Sequence, residues 1–151
     1  MKRVKAKPIM ITGIILIFLL FGVWNLVWLI MTNNRYNGFL EAVPKSKFGN
    51  HTIKKDRDVY NVSKPGYLSF TGNLGINNPE EGYALIIWPL IKGGYEYGFR
   101  VQKEGKVYEF YLNEQLKPMD EDNKQVAKLV QEFKPEIAEL FEKANSMWEL
   151  E

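Results

Sequence analysis

The sequence predicts an α+β protein: an N-terminal transmembrane helix, then an antiparallel meander of four to five strands packed by a C-terminal helix that kinks or breaks near Pro135. Three observations carry this expectation. Residues 8–31, PIMITGIILIFLLFGVWNLVWLIM, run for 24 positions without a charge. Residues 95–112 alternate apolar and polar side chains around a Glu104-Gly105 pair, which is the period of half-buried strands. From Val126 to Trp148 apolar residues recur at spacings of three and four, the period of a helix with one buried face.

The apolar run comes first in the chain. At about 1.5 Å per residue it makes a helix of roughly 36 Å. That is enough to cross a hydrocarbon core of about 30 Å with some tilt. The run is longer than the apolar region of a cleaved signal peptide, and it closes on LVWLIMTNN with no small-residue cleavage pattern. An uncleaved signal anchor is therefore expected. Lys2, Arg3, Lys5 and Lys7 precede the run, whereas Arg35 and Lys45 are the only cations just after it. The cation-rich flank of a span stays in the cytoplasm. This places the N-terminus inside and residues 33–151 outside the cell membrane. Trp24 and Trp28 fall near the outer end, where indole rings favour the headgroup region. Asn25, between them, is a candidate intramembrane contact: its amide is either an ordinary interfacial group or a hydrogen-bonding handle for a partner span.

The chain thus divides into a basic tail (1–7), a membrane anchor in contact with lipid (8–31), a connector (32–50) and an extracytoplasmic domain (51–151). Within the connector, RYNGFLEAV suits a short helix ended by Pro44, because the residue before proline avoids the α region. Residues 45–64 carry six cations and two acids; a solvated loop and edge strand account for them, and contact with an anionic envelope surface is the sharper alternative.

The sheet is read from the densest signal outward. Taking Glu104-Gly105 as a two-residue turn pairs Gln102 with Val107, Val101 with Tyr108, Arg100 with Glu109, Phe99 with Phe110, and Tyr97 with Leu112. One face is then apolar at every pair, and the other sets Arg100 across from Glu109. A one-residue slip would break the match of faces. YALIIWPLI (83–91) is apolar on both faces and reads as a central strand whose pairing ends near Trp88, since Pro89 donates no ladder hydrogen bond. YLSFTG (67–72) reads as a weaker strand and VYNV (59–62) as an edge strand. GNLGINNPEEG (72–82) is dense in turn-forming residues and reads as a loop. Asp120 or Asp122 is expected to cap the C-terminal helix. Pro135 either kinks that helix or opens a second one in line with the first.

Composition excludes more chemistry than it supports. The chain carries a net charge of +2, but beyond residue 32 it holds 16 Lys and Arg against 18 Asp and Glu. That balance does not fit a nucleic-acid partner. There is no cysteine, hence no disulfide, thiol nucleophile or thiolate metal site. The single histidine, His51, reads as a surface-loop residue. No serine lies in a G-x-S-x-G or S-x-x-K setting, and the Asp120-Glu121-Asp122 cluster lacks the ligand spacing of a calcium loop. No catalytic, metal or cofactor residue is therefore expected. The residues singled out as a candidate partner surface are Arg100, Glu109 and Tyr111, which share the sheet face turned away from the helix and belong to types favoured at interfaces. A non-enzymatic, membrane-anchored module that binds a protein or envelope component is the expected function. A small hydrolase using Glu109 or Glu96, and an accessory subunit of a multi-span complex held through Asn25, are the alternatives.

Overall fold

The computed structural model describes residues 6–120 and 122–150, with side chains from residue 10 onward. Lys2, Arg3, Lys5 and Glu121 lie outside the described residues, as does the side chain of Lys7. Helix α1 (Ala6–Ala42) is a single rod of 37 residues. It is long and apolar enough to cross a membrane. From Met10 to Val23 every residue is exposed. Further along, Thr32, Tyr36 and Phe39 are buried, as is Val43 just past the end of the helix. Their spacing of four, three and four puts them on one face; residues 32–42 of the expected connector, with most of the short helix expected over RYNGFLEAV, continue the apolar helix without a break and dock on the domain. Asn25 and Trp28, half-buried, extend that face down into the apolar run.

The sheet has six antiparallel strands, not four to five, in the order β1 (His51–Lys55), β2 (Asp58–Ser63), β3 (Asn73–Asn78), β4 (Tyr83–Pro89), β5 (Tyr95–Lys103) and β6 (Lys106–Leu112). The β5–β6 register is the one expected, from Tyr97 opposite Leu112 to Gln102 opposite Val107. Glu104 and Gly105 both take positive φ, 52° and 73°, the backbone of a type I′ turn, whose twist matches that of the flanking strands. Three other expectations are corrected. β3 lies in the stretch expected to be a loop, between β2 and β4, so VYNV is an interior strand and β1 forms the edge. YLSFTG is not a strand; it belongs to the loop from Lys64 to Gly72, which packs on α1. Pairing of β4 continues to Pro89, opposite Tyr95.

One face of the sheet is covered. Leu74, Ile76, Leu85, Ile87, Phe99 and Leu112 are fully buried there, against Ile137 and Leu140 of α3 and Tyr36 and Val43 at the end of α1. This is the two-layer arrangement expected of an amphipathic sheet. The C-terminal segment is two helices, α2 (Lys124–Glu132) and α3 (Lys134–Trp148), with Pro135 in the first turn of the second. Proline is tolerated there because its missing N–H has no intrahelical partner to lose. Asn123, not Asp120 or Asp122, caps α2: its side chain accepts from the Gln125 and Val126 amides.

Candidate functional site

The opposite face of the sheet carries no helix among the described residues. Arg100 and Glu109 face each other across β5 and β6. The guanidinium donates to one carboxylate oxygen from Nε at 2.9 Å and from Nη2 at 2.7 Å. Both side chains remain open to water, so the pair contributes less than about 1 kcal/mol to stability. Tyr111 sits two residues further along β6, opposite Gly98, and is 53% exposed. The structure therefore gathers all three sequence-chosen residues on one open face.

Trp88, which the sequence does not single out as a surface residue, organises the rest of this face. Its ring lies over Gly98, where a Cβ would come within 2.7 Å of the indole. Only glycine leaves that space. The ring also meets Tyr111, with centroids 5.6 Å apart. Trp88 and Tyr111, with Glu96, Phe70 and Leu90, border a depression of about 440 Å³. The face thus combines an aromatic hollow, a free-standing carboxylate at its rim and an Arg–Glu pair beside it. Alternation could have found Trp88, since it shares parity with Ile86 and Ala84. The uniform apolarity of β4 hid which parity was open.

Of the two carboxylates named for hydrolysis, Glu109 is paired with Arg100. His51 opens β1 rather than lying in a loop, half-buried, and its Nδ1 donates to the Val43 carbonyl oxygen at 2.7 Å. It ties the sheet edge to the end of α1. Asn25 is engaged within its own chain: Nδ2 donates to the Phe21 carbonyl at 2.7 Å, and Oδ1 accepts the Tyr67 hydroxyl.

No family model, curated protein or solved structure matches this chain.

A second concavity, of about 540 Å³, lies between β2 and α3 and is lined by Lys55, Arg57, Asp58, Tyr60, Lys143 and Ser146. Asp58 is buried, 3% exposed, and accepts from Lys143 at 2.5 Å. Lys143 also donates to Glu139, one turn away, at 2.6 Å. Burial alone would lower the Lys143 pKa; hydrogen bonds to Asp58 and Glu139, and their charges, outweigh it and hold the ammonium above its ordinary value. A lysine kept protonated is neither base nor nucleophile, and Ser146 gains no activator from it. The trio fastens α3 to the start of β2. Among the described residues no group of three His, Asp or Glu side chains stands close enough to share a metal ion.

Proposed function

We propose that this chain is a single-pass membrane protein with its N-terminus in the cytoplasm, and that it presents the open sheet face outside the cell to a protein or envelope partner. The observation that carries this reading is the asymmetry of the sheet. One face is sealed by α1 and α3, while the other keeps Trp88 and Tyr111 around a hollow, with Arg100 exposed beside them. Aromatic and arginine side chains dominate binding energy at interfaces. The long helix supports the same reading, because a rod continuous from the apolar run into the core holds the face at a fixed height and angle over the bilayer. The basic tail at 1–7 favours the orientation.

A photo-crosslinking residue at position 111 tests the proposal in living membranes. A discrete adduct that disappears when Arg100→Ala and Trp88→Ala are added supports it; adducts no different from those formed at Lys106, on the hairpin tip, contradict it. The reading as a span-bound subunit has less support, because both ends of the Asn25 amide already have partners in the chain. The hydrolase reading has less support for the same kind of reason at Glu109.

A further inference from the structure

The loop from Lys64 to Gly72 holds to the helix at an unexpected height. Trp28 Nε1 donates to the Ser69 carbonyl at 2.6 Å. The Tyr67 hydroxyl donates to Asn25. Edge-on ring contacts join Trp24 to Phe70, at 5.9 Å, and Trp28 to Tyr67, at 5.4 Å. All three helix positions belong to the uncharged run 8–31. The depth of the loop is therefore set by the depth of the helix.

The helix fixes that depth. Counting about 1.5 Å per residue outward from Lys7, a hydrocarbon core of about 30 Å ends about 20 residues later, at Val27. The loop contacts residues 24, 25 and 28, at that boundary. Its chemistry fits the place. No charged residue lies between Lys64 and Glu80. Tyr67 is 64% exposed, and Leu68 and Phe70 are half-exposed. Lys64 leaves the loop upward, donating to Asn33 two turns above Asn25. Polar groups at the boundary find partners within the protein: the Ser69 amide donates to the Gly66 carbonyl at 2.9 Å and the Thr71 amide to Ser69 Oγ at 3.2 Å. Self-satisfaction of this kind is what backbone needs where water is scarce.

We infer that the loop 64–72 is a second membrane contact: Tyr67, Leu68 and Phe70 insert among the headgroups and upper acyl chains of the leaflet that the domain faces, beside Trp24 and Trp28. The inference rests on the reading of α1 as a span. The occupant is phospholipid, because the surface continues that of the span without a break and carries no charge to attract a soluble ligand. The domain then rests on the bilayer at two points instead of swinging from one.

The chain has no cysteine, so single cysteines placed by Leu68→Cys, Ile17→Cys and Lys106→Cys in the full chain, each carrying an environment-sensitive fluorophore, report depth in phosphatidylcholine vesicles. Position 17 is the control for the span, and position 106, on the β5–β6 turn, the control for water. Nitroxide-bearing lipids quench position 17 when the label sits deep in the chains. The inference expects position 68 to lose most of its emission to a shallow lipid nitroxide and little to an aqueous quencher, with position 106 reversed. Position 68 quenched only from water, with position 17 still quenched from lipid, overturns the inference and leaves the span standing. Position 68 shielded from both quenchers means that protein covers the loop, and also overturns it. Position 17 quenched from water removes the span and the inference together. A Tyr67→Cys label, one residue away, repeats the reading should Leu68→Cys fail to fold.

Discussion

The Trp28 indole donates to the carbonyl oxygen of Ser69, a residue 41 positions later in the chain, at 2.6 Å. Just below this bond Asn25 and Trp24 touch the same loop through Tyr67 and Phe70; above it the helix is part of the domain. Four residues on, Thr32 is fully buried, and four beyond that Tyr36 is too. The Tyr36 hydroxyl accepts from the Gly72 amide at 3.0 Å, so the same loop is pinned to α1 at a second point.

Tyr36→Phe should cost about 1–3 kcal/mol, because it leaves a buried amide donor without a partner. Thermal denaturation of the detergent-solubilised chain, followed by circular dichroism, checks this. An unchanged melting temperature would mean that the loop is not held by this hydroxyl.

Gly98→Ala should destabilise by about 1–3 kcal/mol, since the new methyl group must displace the Trp88 ring and core or near-core overpacking costs that much. A shift in tryptophan emission should accompany the loss. Stability that falls without any change in emission would place the strain elsewhere.

Glu104→Asn should stabilise the protein by about 0.5–1 kcal/mol. Glu104 holds φ at 52°, a region that asparagine enters at lower cost than glutamate. Chemical denaturation of the two forms side by side measures the difference, and a less stable variant would count against the turn assignment.

Lys143→Met should be strongly destabilising, by roughly 3–5 kcal/mol, because it strands the buried Asp58 carboxylate. The double variant Lys143→Met with Asp58→Leu should recover much of that loss. Failure to recover would show that the site does more than fasten α3 to β2.

Stability should fall on the alkaline side. Burial, aided by a hydrogen bond to Glu81 and neighbouring acids, pushes the Tyr83 pKa up from 10.0 to about 12. Burial raises Tyr36 and Tyr60 as well. Below pH 10 the unfolded tyrosines are still protonated and nothing is lost. Above it the unfolded chain releases protons that the folded chain retains, so the unfolded state gains with each step in pH. The raised Lys143 pKa has the same sign: its contribution is whole below 10.5 and fades only above that. Denaturation midpoints should therefore stay level towards pH 10 and drop beyond it, with a shallower drop for Tyr83→Phe.

The parts of this fold that were legible in the sequence are those where local signals agree. Turn chemistry, alternation and the Arg100–Glu109 pair all specify one β5–β6 register, so half of the candidate site could be read directly. β3 was hidden because Asn73, Gly75, Asn77 and Asn78 are turn formers, and only Leu74 and Ile76 mark a buried face; pairing with strands on both sides overrides the weak local preference. Gly75 has its own reason to be small, since a Cβ there would meet the Asn61 side chain at 2.4 Å. The continuity of α1 was hidden by Asn33 and Asn34, poor helix formers that stand between the apolar run and the short helix expected over RYNGFLEAV. Tertiary burial of Tyr36, Phe39 and Val43 outweighs them. The spacing of those three with Thr32 was the available clue. Trp88 escaped because an all-apolar strand does not say which of its faces will be left open.

The most direct measurement of the central claim uses Lys106→Cys in the otherwise cysteine-free chain, treated with a membrane-impermeant maleimide on intact cells. A helix that spans the bilayer and carries its domain outside predicts full labelling without permeabilisation. Labelling that appears only after the membrane is opened would contradict it.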